Sequence, residues 1–146
     1  MRSRFILKQL DEAQNQPDLY GIWQDSKEDC NKCSGYVKGP KGSVYEGAAF
    51  YISVHFPSCY PMGPPKIIFK TNIFHPLVNS KGAVKIDILR DDWSPGLVIS
   101  KVLLTIVSIL DNPELRHFKD AKAQKYYIDD KADFYRKARD WTLNNI

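Results

Sequence analysis

The chain predicts an α+β domain, and three observations carry that expectation. An amphipathic helical pattern opens the sequence, four strand-like runs separated by turn residues follow, and helical periodicity returns only near residue 100. No repeat, linker or low-complexity tract interrupts the 146 residues, which suffice to bury one core without disulfide or metal staples. A single domain spanning 1–146 is expected.

Ile6, Leu10 and Ala13 fall at i, i+4 and i+7, a helix over 4–13 with Arg4 and Lys8 on its outer side. Gln16-Pro17-Asp18 ends it, because proline drives the preceding residue out of helical geometry. Residues 20–23 and 33–38 are short strand candidates, the second bounded by Gly39-Pro40. Over 48–56, Phe50, Ile52, Val54 and Phe56 alternate with Tyr51, Ser53 and His55, the period of two of a half-buried strand. Residues 66–70, rich in Ile and Phe, supply the fourth. Gly42-Ser43, Glu46-Gly47 and Pro57-Ser58 turn the chain between strands, so an antiparallel meander is expected.

A segment over 71–99 has little periodicity, and loops of that length inside a domain usually carry function. Ser100 then reads as the N-cap of a strongly apolar helix containing Val102, Leu103, Ile106, Val107 and Leu110, stopped by Asn112-Pro113. Another helix is expected over 121–128. The last is expected to start near Asp130, with Phe134, Ala138 and Trp141 on one side.

Composition narrows the function classes. Hydrophobic residues make up 43% and charged residues 26%, ordinary values for a soluble globular protein. Three cysteines, Cys30, Cys33 and Cys59, form an odd and sparse set that reads as free thiols. The Cys30-x-x-Cys33 pair lacks a second pair or nearby histidine, so no metal and no cofactor is expected. No apolar run approaches the roughly 18 residues of a spanning helix, so no membrane is expected; the location expected is cytoplasmic or nuclear. The net charge of +4 is mild, and bases are mixed with acids, as over 136–140, so no nucleic acid is expected.

The long loop holds the motifs. It contains His75-Pro76, then Leu77, then Lys85 eight residues further on, then Asp87 and Trp93-Ser94-Pro95. Outside it stand Tyr45-x-Gly47, His55-Phe56-Pro57, Tyr60-Pro61-x-x-Pro64-Pro65 and Arg139-x-Trp141. Together these resemble the ubiquitin-conjugating enzymes, whose active site reads H-P-N, a Cys eight residues beyond the Asn, then W-S-P. The likeness covers essentially the whole chain and is strongest to the small single-domain members without extensions, typified by the broad partners of RING ligases. It implies the UBC-like fold: an N-terminal helix, a four-stranded antiparallel meander, a long active-site loop and three further helices.

Two family residues are replaced. Lys85 stands where the family has its thioester-forming cysteine, and Leu77 where it has Asn. The family's chemistry needs a thiol that is both nucleophile and leaving group, because ubiquitin arrives as a thioester and leaves to a lysine amine. A lysine side chain is protonated near neutral pH and would hold ubiquitin as an isopeptide amide, from which onward transfer stops. The replaced Asn has been given the role of opposing charge on the thioester oxygen, and Leu77 donates no hydrogen bond from its side chain. Asp87 matches a family acid; His117 aligns where related enzymes carry an acid that positions the incoming amine. Lys85 also suits a stable-conjugate mimic installed in an active enzyme. The changes at Leu77 and His117, which such a trap does not need, favour a natural inactive variant.

The resemblance also implies binding positions. RING and U-box ligases dock on the family's first helix and two loops, which here offer Arg4, Lys8, Met62, Ser94, Pro95 and Gly96. Met62 stands where many relatives carry Phe, and Gly63 where relatives often carry a basic residue. Ubiquitin is expected at Leu104, Thr105 and Ser108 on the main helix, and at Ile22 and Tyr51 on the outer sheet face. Expected partners are a ligase, ubiquitin itself or an active conjugating enzyme.

Overall fold

A computed structural model describes residues 2–111 and 131–144. Helix α1, Arg2–Glu12, is followed by β1 (Tyr20–Ser26), β2 (Asp29–Lys38), β3 (Ala49–His55) and β4 (Lys66–Phe69). The strands pair antiparallel in chain order, β1-β2-β3-β4, the meander that the turn residues predict. A short 3-10 helix at Asp87–Leu89 breaks the long loop, then come α2 (Ile99–Asp111) and α3 (Lys131–Asn144). The expected helix over 121–128 and the candidate His117 lie outside the described residues.

One face of the sheet is buried. Ile22, Gly35, Ile52 and Phe69 form one row across the four strands, and Cys33, Val54 and Ile67 form part of the next. Ile6 and Leu10 of α1 and seven apolar residues of α2, from Ile99 to Leu110, belong to the same core. Each such buried side chain contributes roughly 1.5–3 kcal/mol over leaving it exposed. Phe134 and Ala138 bury α3, whose Arg139 guanidinium donates to the carbonyls of Val44 and Glu46 at 3.1 and 2.8 Å. Trp141, expected on the same side, stays 42% exposed, its ring tilted against that of Phe74 with centroids 6.4 Å apart.

Two expectations are corrected here. Ile22 is 1% exposed and faces the core, so it is not on the outer sheet face. β1 runs longer than its four-residue signal, and side chains alternate along it, so the outward positions are Gly21 and Trp23. Tyr36 packs over Gly21, where a Cβ would come within 2.4 Å of its ring, and Trp23 and Tyr51 are 45% and 53% exposed. Ser100 is not the N-cap of α2, because the helix already includes Ile99. The acceptor for the first amide comes from another helix: the Ile99 N–H donates to Gln9 Oε1 of α1 at 2.9 Å.

Candidate functional site

The loop that carries Lys85 is held by hydrogen bonds to its backbone. Tyr45 donates its hydroxyl to the Phe74 carbonyl, anchoring the start. His75 comes next and is buried. The Leu77 N–H donates to His75 Nδ1 at 3.0 Å, so Nδ1 is bare and Nε2 carries the proton, donated to the Ile109 carbonyl of α2 at 2.8 Å. Burial pushes the His75 pKa down to about 4, and the Ile109 carbonyl opposes this only in part. The ring is therefore a neutral strut between the loop and the main helix.

Beyond it the chain reverses. Asn79 Oδ1 accepts from the amides of Lys81 and Ala83, and Gly82 sits at φ +86°, where other residues are strained. The returning segment pairs with the outgoing one: Val78 bridges Val84, and the Lys85 N–H donates to the Leu77 carbonyl at 2.7 Å. Val84 and Ile86 point into the core, so Lys85 between them projects into solvent. Two residues on, Asp87 opens the 3-10 helix, and its carbonyl accepts from the amides of Arg90 and Asp92.

Positions 77 and 85 are thus brought together through the backbone, with opposite side-chain directions. Leu77 is 1% exposed and packs in the core, so its side chain is turned away from the solvent side on which Lys85 stands. What the arrangement offers chemically at position 85 is an exposed primary amine. Among the described residues, no group of three or more His, Cys, Asp or Glu could hold a metal ion.

None of the three thiols lies in this loop. Cys30 and Cys33 are buried in β2, and Cys59 is exposed in the turn between β3 and β4. Burial, with Asp25 adding to it, raises the Cys33 pKa to about 12, which keeps that thiol protonated at neutral pH.

The expected docking residues form a second group. Arg4 and Lys8 are exposed on α1, Met62 is 73% exposed, and Ser94, Pro95 and Gly96 are all exposed. Underneath, Arg2 donates to the carbonyls of Phe56, Pro57 and Tyr60, tying α1 to the Met62 loop. The Trp93 indole N–H donates to the Pro61 carbonyl at 2.9 Å, and its ring lies 5.8 Å from that of Tyr60. A Cβ at Gly63 would meet Cys59 Sγ at 2.6 Å, so a larger residue there requires Cys59 to move. On α2, Leu104 is 37% exposed and Ser108 is exposed, while the Thr105 hydroxyl turns back to the Lys101 carbonyl.

Gln9 was missed in the sequence. Its signal is a polar residue one step inside the apolar stripe of Ile6, Leu10 and Ala13, which places it against the core.

An N-terminal helix, a four-stranded meander and a long loop braced by His75 against the main helix define the frame of a ubiquitin-conjugating domain. The chain matches the family model described as ubiquitin-conjugating enzyme over residues 5–142, and it belongs to that family. Its structure is similar to that of a ubiquitin-conjugating enzyme E2 domain from Toxoplasma gondii, with a TM-score of 0.84 and 33% identity over 99% of this chain and 98% of that one.

Proposed function

We propose that this chain is a catalytically silent member of its family that acts in the ubiquitin pathway by binding a RING or U-box ligase, ubiquitin or an active conjugating enzyme. The observation that carries the reading is the pairing of positions 85 and 77. An amine projects at the position of the thioester sulfur, and an alkyl side chain is packed away at the position of the Asn. Nitrogen there forms an amide that does not pass ubiquitin on, and nothing on the Leu77 side chain opposes charge on a thioester oxygen. The thiols support the same reading: Cys30 and Cys33 are buried, and the exposed Cys59 lies in the turn between β3 and β4, outside the loop of Lys85.

Binding is supported by the exposed group on α1 and the two loops. Met62 offers a protruding, adaptable apolar side chain above a braced platform, a residue type enriched at protein interfaces. The exposed Leu104 and Ser108 on α2 offer a second face for ubiquitin.

Titrating the chain with a panel of RING domains tests the reading. Binding by at least one domain, weakened about five- to tenfold by Met62→Ala, is the expected outcome. A Met62-independent result across the panel removes the ligase from the proposal. Incubation with activating enzyme, ubiquitin and ATP should leave the wild type without a thiol-sensitive adduct, whereas Lys85→Cys supplies the nucleophile for comparison.

A further inference from the structure

We infer that Gln9 is a positioning residue that sets the two docking loops and the start of α2 relative to one another. This rests on the reading of the Met62 and Ser94–Gly96 loops as a ligase surface, and extends it to a residue no ligase could touch. Gln9 is 3% exposed. Its Oε1 accepts twice, from the Tyr60 hydroxyl at 2.8 Å and from the Ile99 N–H at 2.9 Å. A backbone N–H can only donate, so the side-chain oxygen, not the nitrogen, must face Ile99. One atom of α1 therefore joins the loop that presents Met62 to the first turn of the helix that follows Gly96.

The linkage closes into a ring of contacts. Tyr60 stacks beside Trp93, Trp93 donates to the Pro61 carbonyl, and the chain from Trp93 runs through Ser94, Pro95 and Gly96 back to Ile99. The Leu97 N–H donates to the Ser94 carbonyl at 3.0 Å, which keeps that path short. Each segment is held by its neighbours, and Gln9 Oε1 is the acceptor common to both sides. Gln9 Nε2 is buried without a hydrogen-bond partner among the described residues. An amide donor left unpaired in a core destabilises it, so packing alone favours an apolar residue here. The carbonyl is what the position requires.

The test uses the full chain and two variants. Gln9→Met keeps the side-chain length and removes the carbonyl; Gln9→Glu keeps an acceptor oxygen at the same reach. In Gln9→Met, amide hydrogen exchange at Met62, Leu97 and Ile99 should accelerate about tenfold, with Ile52 and Val54 in β3 changing less than about twofold. The Trp93 indole N–H resonance, assigned by its absence in Trp93→Phe, should shift. Affinity for a RING domain that binds in a Met62-dependent way should fall about fivefold. Gln9→Glu should recover all three readouts. If Gln9→Met folds poorly, Tyr60→Phe replaces it and should speed exchange at Met62 while sparing Ile99.

Unchanged exchange at both loops overturns the inference. So does a Gln9→Glu protein that behaves like Gln9→Met, or β3 amides that accelerate as much as the loops. If Met62→Ala leaves every RING interaction intact, the ligase reading fails by itself, and exchange and the indole signal still judge Gln9.

Discussion

The loop around Lys85 and the platform around Met62 are both braced, but by different means. In the loop, His75, Asn79 and Tyr45 hold backbone groups, and position 85 is held by its main-chain N–H. Beneath Met62 the joints lie in side chains, with Gln9, Tyr60, Trp93 and Arg2 each spanning two segments. A loop fixed through its backbone keeps its shape when the outward side chain changes. The platform keeps its shape when Met62 changes, but not when Gln9, Tyr60, Trp93 or Arg2 does. The side chain at position 85 can therefore change without cost to the scaffold, while the surface around Met62 stays coupled to the core through those joints.

Position 77 marks the limit of that freedom, and Leu77→Asn should give the largest effect. It places a polar amide where a fully buried leucine packs, and should destabilise the fold by roughly 2–4 kcal/mol in urea unfolding. Stability within about 0.5 kcal/mol of wild type would mean that the turn readily swings residue 77 outward, blurring the contrast between the two regions.

The next effect is on pH dependence. His75 titrates near 4 when folded, below the ordinary histidine value of about 6.5, so the unfolded chain binds more protons between those values. Stability from this group is fully present above about pH 6.5 and falls as pH drops toward 4, by about 3 kcal/mol in total. His75→Gln should lose this part of the slope, read as the difference between the two proteins in urea midpoint at pH 7 and pH 4.5. Equal slopes would remove the neutral strut from the loop.

A smaller effect is expected at the platform. Met62→Ala should weaken RING binding by about 1 kcal/mol and leave the unfolding midpoint within error, because Met62 stands mostly in solvent. The smallest belongs to Lys85 itself: Lys85→Ala should change stability by less than about 0.5 kcal/mol. A large loss there would show that the loop leans on this side chain after all.

Much of the fold is legible in the sequence. The strand order followed from the turn residues, and the buried rows from the alternation of Phe50, Ile52, Val54 and Phe56. The H-P and W-S-P motifs located the loop. What failed was local. Ile22 lay in a segment too short to reveal its phase, and a shift of one residue reverses a strand's faces. Ser100 looked like a cap because its side chain suits one, whereas the acceptor came from Gln9, ninety residues away. A bond between distant segments leaves no periodic trace. The inward direction of Leu77 was equally hidden, since an isolated leucine in an irregular loop has no pattern to give it a side.

On the proposed reading, position 85 offers an amine on an intact scaffold and so carries no labile ester. Intact-mass analysis after incubation with activating enzyme, ubiquitin and ATP, before and after treatment with a thiol, tests it directly. The expected spectrum shows no thiol-labile ubiquitin adduct on the wild type and a thiol-labile one on Lys85→Cys. A wild-type adduct that disappears on thiol treatment would mean that the chain carries ubiquitin as a thioester.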